Sequence, residues 1–219
     1  MRLTLLVISA SLVISAPALA QTPASQPSSL KKDTRIPIAA ADLRGVFGRL
    51  GQDKTTAAGL SVLETELPPS GFGLAGGAHV YLWRGQATAL GVGGEAMFSQ
   101  AKRELKDSAG KATGTVIDRR LRSMSGQVTM NFGHRDGWSY LTAGIGPTSF
   151  ESYNDKVTPD GLSPASINFG GGARWFNWEH LAFTADLRFY QTKPALATPN
   201  TATRLRKNVV VFSGGIAVK

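Results

Sequence analysis

The sequence contains no cysteine, and its one long apolar run lies close to the start of the chain. The absence of cysteine excludes a lipid-modified cysteine anchor, a disulfide framework and a thiolate metal site. An exported chain without disulfides takes its stability from a packed core or from a membrane. Beyond residue 20 no stretch approaches the roughly 20 apolar residues that a transmembrane helix needs. We therefore expect no membrane-spanning helix in the mature chain.

Residues 1–20 have the features of a cleaved secretory signal peptide. A positive charge at Arg2 precedes the apolar run at 3–15, and an A-x-A cleavage pattern ends at Ala20. We expect export through the Sec pathway and a mature chain that begins at Gln21.

The charge balance is strongly basic, with a formal net charge of +9 that becomes +8 when Arg2 is removed with the signal peptide. Such an excess indicates an anionic partner. Export argues against nucleic acid and leaves phosphate-bearing lipid, such as the phosphates of lipopolysaccharide, with merely solvated loops as the alternative. Residues 101–122 and 191–207 each carry a net charge of +4, so they account for the whole excess. We call their eleven bases the basic loop rim: Lys102, Arg103, Lys106, Lys111, Arg119, Arg120, Arg122, Lys193, Arg204, Arg206 and Lys207.

The segment after the signal peptide is predicted to lie outside the folded domain. Residues 21–38 are rich in Pro, Ser, Thr and Gln and cannot bury enough apolar area to offset their ordering entropy, so we expect disorder. Residues 39–50 could form a short helix that two glycines weaken. The pattern thus predicts a leader at 21–56 and a folded domain at 57–219.

From about residue 57 onward, apolar residues alternate with small or polar residues, which is typical of strands with two unlike faces. The alternation is weak at 57–66 and clear afterwards, and it predicts eight strands. The clear stretches are 72–82, 89–99, 123–133, 140–145, 167–175, 183–190 and 212–218.

The predicted connections alternate between short turns and long polar loops, a layout typical of outer-membrane barrels. The short turns are at 84–86, 133–137 and 176–180, and the long loops are near 101–119, 151–165 and 191–207. All four tryptophans lie beside the short turns, where an interfacial belt would place them. These are Trp83, Trp138, Trp175 and Trp178.

Several segments resemble the small outer-membrane β-barrel proteins of Gram-negative-type bacteria, the class that includes OmpA-like and OmpX-like barrels. They are GFGLAGGAHVYLW, LGVGGEAMFSQ, SGQVTMNFGHRDGWSYLTAGIG, INFGGGARWF and LAFTADLRFYQ. The resemblance covers roughly residues 57–219 and implies an all-β fold, an eight-stranded antiparallel up-and-down transmembrane β-barrel. It also implies insertion by the barrel-assembly machinery, location in the outer membrane and periplasmic termini.

Alternation alone does not decide whether the apolar face points outward to lipid or inward to a ligand, as in a soluble lipocalin-like barrel. The opposite face consists mostly of Gly, Ser, Thr, Ala and Asn, which fit the lumen of a narrow barrel. We therefore favour the membrane orientation. In that orientation the lumen contains a polar network, with Glu95 and Arg188 at similar depth. Its expected members are Glu95, Arg174, Asp186, Arg188, His79 and Tyr81.

Buried charges need partners, because breaking one pair costs about 3–5 kcal/mol. We expect a structural role for the network, and a proton or ion pathway is the alternative. No catalytic, cofactor or metal site is indicated. Of the three histidines, His134 and His180 lie at short turns, His79 points into the lumen, and none lies beside a serine at the outer rim. We expect a non-enzymatic envelope barrel that is structural or contacts lipid or partners through its basic loops. Small-molecule binding or a narrow conduit is the alternative.

Overall fold

The computed structural model describes residues 33–154, 165–194, 196 and 206–219. These residues form eight strands, which are β1 (Ala39–Arg49), β2 (Ser70–Arg84), β3 (Thr88–Lys106), β4 (Ala112–His134), β5 (Gly137–Asn154), β6 (Ala165–Phe176), β7 (Leu181–Thr192) and β8 (Lys207–Val218). Each strand pairs antiparallel with the next, and β1 pairs with β8 to close the barrel. The predicted eight-stranded up-and-down barrel is confirmed.

The barrel has two unlike ends. The turn end contains the three short connections at 85–87, 135–136 and 177–180, and it confirms the predicted short turns. The loop end contains the connections that follow β1, β3, β5 and β7. Among the described residues, helix is confined to α1 (Lys54–Gly59) and a 3₁₀ turn (Glu64–Glu66) in the connection after β1, and no helix is long and apolar enough to cross a bilayer.

The apolar face of the strands points away from the barrel axis, as the composition of the two faces predicts. Met124 and Val128 on β4, for example, are 65% and 60% exposed, whereas the alternate residues Ser125 and Gln127 are buried. Every strand contributes to this outward apolar belt, with Leu43, Phe72, Leu74, Val80, Leu90, Phe98, Met130, Leu141, Ile145, Ile167, Phe169, Phe183, Phe212 and Ile216. A barrel with this surface is stable in acyl chains and not in water.

The first strand is β1 at Ala39–Arg49, so the predicted helix at 39–50 and the predicted strand at 57–66 are both wrong. The inward residues of β1 include Asp42 and Arg44, while its outward residues include three small ones, so the contrast between faces is weak in sequence. Pairing with both β2 and β8 fixes it as a strand.

Residues 57–66 lie instead in a lid, which we define as residues 50–69. Asp53 caps the N-terminus of its helix α1, and the Asp53 side chain accepts a hydrogen bond from the Thr56 amide at 2.8 Å. The two ends of the lid are joined because the Leu50 amide donates to the Pro69 carbonyl at 2.8 Å. The barrel domain therefore begins near residue 39 and not at residue 57.

The end of the predicted disordered leader is ordered at residues 33–38. Ile36 is buried in the turn-end mouth, and the Tyr81 amide donates to the Ile38 carbonyl at 2.8 Å. Arg35 donates to the Asp33 carboxylate at 2.9 Å, and this hydrogen bond lowers the pKa of Asp33 to about 2. The proposed signal peptide and residues 21–32 lie outside the described residues.

Candidate functional sites in the lumen and on the outer wall

Three acids and three arginines occupy the middle of the lumen, at inward positions of β1, β3, β6 and β7. All six side chains are at most 2% exposed. We call them the central cluster, and its members are Asp42, Arg44, Glu95, Arg174, Asp186 and Arg188. The cluster is formally neutral, so each buried charge has an opposite charge to compensate it.

Arg44 connects three carboxylates from three strands. Its Nε lies 2.7 Å from Asp42 Oδ1, its Nη1 lies 3.1 Å from Asp186 Oδ1, and its Nη2 donates to Glu95. The planar guanidinium presents five donors in a fixed geometry, which suits contact with several carboxylates at once. This one side chain therefore ties β1 to β3 and β7 across the lumen.

The predicted pair of Glu95 and Arg188 is in contact, with 3.1 Å between Arg188 Nη2 and Glu95 Oε2. Arg188 Nε also donates to Asp186 at 2.9 Å. In the strand register, Gly77 stands opposite Glu95 and Gly170 stands opposite Arg188. These glycines leave space in the narrow lumen for the two large side chains.

Hydrogen bonds from tyrosines complete the cluster. Tyr140 donates to Asp186 at 2.9 Å and Tyr190 donates to Glu95 at 2.8 Å. Arg174 lies 2.6 Å from Asp42 and donates to the Tyr81 hydroxyl at 3.0 Å. Phenol donors satisfy the carboxylate oxygens that the arginines leave free, which lowers the cost of burying the acids.

His79 lies in the lumen but makes no ion pair among the described residues. Its Nε2 is 3.1 Å from the Gln127 side-chain oxygen, which also accepts from the Thr142 hydroxyl at 3.2 Å. The described residues contain no group of three or more His, Cys, Asp or Glu side chains that could hold a metal ion.

The central cluster includes two residues that the sequence interpretation missed, Asp42 and Arg44. They were missed because β1 was assigned to a helix in the leader. A sequence signal exists, because both charges lie at even-numbered positions, whereas the odd-numbered positions from Ala39 to Phe47 carry no charge. One acid and one base were missed together, so the four predicted charges and the six observed charges both sum to zero.

Apolar layers fill the lumen on both sides of the central cluster. The turn-end layer is closed by Ile36 and by Trp138, whose ring stacks on Phe176 with 4.9 Å between centroids. The loop-end layer contains ten buried residues, which are Val46, Leu50, Ala75, Met97, Ala101, Leu121, Phe150, Tyr190, Val209 and Val211. The lid lies beyond this second layer and packs Ala57 and Leu67 against Ile117.

The tryptophans do not all lie in an outer belt. Trp83, Trp175 and Trp178 are more than half exposed near the turn end, but Trp138 is 3% exposed inside the lumen. The prediction for Trp138 is therefore wrong. Trp138 has the same parity as the inward residue Tyr140, so strand alternation directs it inward despite its place beside a turn.

The basic loop rim is not a single surface, because residues 101–106 and 112–122 belong to β3 and β4, which extend beyond the apolar belt. Arg103 donates to the Thr65 carbonyl of the lid at 2.6 Å. Lys106 and Lys111 are exposed near the tip of the β3–β4 hairpin. Lys193 and Arg206 are exposed, and Arg204 and the side chain of Lys207 lie outside the described residues.

Arg119 is fully buried and holds the lid by its main chain, so its predicted place on an exposed rim is wrong. Its Nη1 donates to the Pro68 carbonyl at 2.8 Å and also to the Gly51 carbonyl. Its Nε donates to Ser152 at 3.1 Å, and its guanidinium lies 5.1 Å from the centre of the Phe150 ring. Arg119 points inward because it has the same parity as the lumen residue Leu121.

Other bases of the rim lie on the outer wall of β3 and β4, around the carboxylate of Asp118. Arg120 Nη2 lies 2.8 Å from Asp118 Oδ2, and Lys102 Nζ lies 3.8 Å from it. Arg122 is exposed, with its guanidinium 5.8 Å from the centre of the Phe98 ring. This wall therefore presents three cations just beyond the apolar belt.

Closure, register and the outward apolar belt define an eight-stranded β-barrel of the outer-membrane type. No protein-family model and no curated protein sequence matches the chain. Among solved structures, it is similar to Ail, the attachment invasion locus protein of Yersinia pestis, with 12% identity over 85% of this chain and 99% of that chain, at a TM-score of 0.49.

The chain is also similar to neisserial surface protein A, with 16% identity over 86% of this chain and 97% of that chain, at a TM-score of 0.44. A third similar structure is the outer membrane protease OmpT from Escherichia coli, with 8% identity over 88% of this chain and 98% of that chain, at a TM-score of 0.42. At these identities the likeness concerns the fold alone, and the assignment above depends on the strand order and surface of this chain.

Proposed function

We propose that the protein is a sealed, non-enzymatic integral barrel of the outer membrane that contacts anionic outer-leaflet lipid through its outward bases. The observation that carries this proposal is the filled lumen: two apolar layers enclose a neutral charged layer, and a lid covers the loop end. A barrel filled in this way acts through its outer wall and its loops.

The proposed orientation places the turn end and the described termini in the periplasm and the loop end outside the cell. Short connections on the periplasmic side and long ones outside are usual for such barrels. The exposed tryptophans Trp83, Trp175 and Trp178 would then lie at the periplasmic headgroup level. The outward bases of β3 and β4 would face the phosphates of lipopolysaccharide. The barrel-assembly machinery is the partner that we expect during insertion.

The two alternatives are less well supported. A soluble lipocalin-like barrel needs its apolar side chains inside and polar ones outside, and the described strands have the opposite arrangement. A conduit needs a continuous wet path, whereas the arginines of the central cluster span the lumen and contact carboxylates from opposite sides.

Conductance across planar bilayers tests the proposal. We expect the refolded protein to show heat-modifiable gel mobility, which reports a closed barrel, and no discrete current steps above the bare bilayer. Reproducible unitary steps from the same heat-modifiable sample would contradict the sealed barrel. Folding as a monodisperse species in buffer without detergent would contradict the membrane assignment.

A further inference from the structure

We propose that the outer wall of β3 and β4 carries a specific site for a phosphate group of a lipid headgroup, formed by Lys102, Arg120 and Arg122 and organised by Asp118. This inference depends on the proposed function, because the wall must face the outer leaflet. It goes further in naming one site and in assigning a positioning role to an acidic residue.

The site lies at the edge of the apolar belt. Arg122 stands opposite Phe98 in the register of β3 and β4, and Met124, two residues nearer the turn end, is 65% exposed. Aromatic rings and cations at such an edge are at headgroup level when acyl chains cover the belt. The guanidinium of Arg122 therefore lies at the level of the lipid phosphates. This position favours a phosphate that is attached to a lipid over a free anion in solution.

Asp118 organises the site by accepting several hydrogen bonds, although its position on β4 is outward. It accepts from Gln100 at 2.8 Å, from the Tyr153 hydroxyl at 3.1 Å and from Arg120 at 2.8 Å. Lys102 is the fourth donor group near this carboxylate. One buried acid thus holds two cations on the same side of the wall, and the Arg120 guanidinium also lies 5.1 Å from the centre of the Tyr153 ring.

Donors remain available for a ligand after these contacts are made. Arg120 Nε is buried and has no hydrogen-bond partner among the described residues. Lys102 is 58% exposed, and Arg122 is exposed and forms no ion pair within the described part of the chain. Glu151 stands opposite Arg120 in the register of β4 and β5, so the three bases and the two acids of this wall have a net charge of +1, which still favours an anionic group. Arginine forks bind phosphate oxygens in pairs, so the donors suit this group chemically.

Four other bases of the basic loop rim lie apart from this site. Arg103 and Arg119 contact lid carbonyls. Lys106 and Lys111 lie near the hairpin tip, far from the belt, and provide a matched control of equal charge.

The test measures binding of purified lipid A to the folded full chain in a neutral detergent by native mass spectrometry, with heat-modifiable mobility as the check of folding. The first variant is Arg120→Gln/Arg122→Gln and its control is Lys106→Gln/Lys111→Gln, since each removes two positive charges. The decisive variant is Asp118→Asn, which raises the net charge by one while it replaces one acceptor oxygen of the carboxylate by a donor NH₂ group. Dephosphorylated lipid A and inorganic phosphate are the comparison ligands.

We expect Arg120→Gln/Arg122→Gln to weaken lipid A binding by about tenfold or more, as for the loss of charge-assisted hydrogen bonds, and the control to change it by less than about twofold, as for a loosely held surface charge. Asp118→Asn is expected to weaken binding, and dephosphorylated lipid A is expected not to bind.

Tighter binding by Asp118→Asn, or equal losses in the two double variants, would overturn the specific site and would indicate a diffuse lipid contact instead. Equal binding of dephosphorylated lipid A, or full competition by millimolar phosphate, would overturn a lipid-phosphate site. None of these results bears on the sealed lumen, which conductance tests separately.

Discussion

At the scale of single residues, the central cluster follows from the cost of burying charge. Each arginine has at least one carboxylate within 3.1 Å, and the carboxylates of Glu95 and Asp186 are each shared by two arginines. Breaking one buried pair costs about 3–5 kcal/mol, because it leaves the other charge uncompensated. The cluster is therefore a structural element whose members we expect to be strongly coupled in stability.

The pair of Glu95 and Arg188 offers a direct measurement of this coupling. We expect a double-mutant cycle of Glu95→Gln and Arg188→Met to give an interaction free energy of about 1–3 kcal/mol, measured by urea unfolding of the barrel in detergent micelles. The coupling arises because either single change leaves the partner charge with fewer opposite charges in a site that water does not reach.

A matched cycle controls for general effects of removing charge. Arg35 is exposed at the turn end and pairs with Asp33, far from Glu95. We expect Arg35→Met and Glu95→Gln to be additive within about 0.5 kcal/mol. Additivity of Glu95→Gln with Arg188→Met would show that the 3.1 Å contact has no energetic weight.

The sequence predicted some members of the central cluster and not others, for physical reasons. Glu95 and Arg188 could be placed at one depth because strand alternation and distance from the turns fix depth. Asp42 and Arg44 were not placed, because β1 has three small residues on its outward face and two charges on its lumen face, so the apolar side that periodicity detects is weak. Trp138 was assigned by its nearness to a turn, although its parity already indicated the lumen.

At the scale of elements, the two segments that flank β1 seal both mouths of the barrel. Residues 33–38 insert Ile36 at the turn end, and the lid at 50–69 covers the loop end. β1 itself supplies Asp42 and Arg44 to the centre. The continuous segment formed by residues 33–38, β1 and the lid thus contributes to the turn-end layer, to the central cluster and to the cover over the loop-end layer. A chain segment of this kind has weak amphipathicity, which explains why periodicity alone assigned it to a leader.

The lid is held mainly by Arg119, which contacts the main chain at both of its ends. We expect Arg119→Met to increase opening of the lid by roughly ten- to a hundredfold, because loss of the donor leaves buried carbonyls unsatisfied at about 1–3 kcal/mol. Trypsin cleavage after the exposed Lys54, followed by mass spectrometry, measures this opening.

The neighbouring Arg103 provides the comparison for this prediction. It is exposed and donates to a single lid carbonyl, that of Thr65. Arg103→Met is expected to change the cleavage rate by less than about threefold, as for other exposed contacts. Equal cleavage of both variants and the parent chain would mean that Arg119 does not hold the lid.

At the scale of the whole molecule, the inside and the outside of the barrel have different roles. The lumen provides rigidity through ion pairs and packing, and the outer wall meets lipid through an apolar belt with cations along one edge. Composition of the two strand faces was enough to predict this orientation, because a face made mostly of small and polar residues suits a narrow lumen. The lengths of β3 and β4 were not predicted, since charged residues beyond the belt lose the alternation that marks a half-apolar strand.

The tryptophans provide the sharpest check of orientation, because three lie outside and one inside. We expect single-tryptophan variants that retain Trp83, Trp175 or Trp178, with phenylalanine at the other three positions, to be quenched when the barrel is placed in bilayers of brominated lipid. Bromine quenches by contact, and these rings are more than half exposed. The variant that retains Trp138 is expected to keep its fluorescence and to emit at shorter wavelength, since its ring packs between Tyr81 and Phe176. Strong quenching of Trp138 together with bright emission from the other three would mean that the apolar face is turned inward.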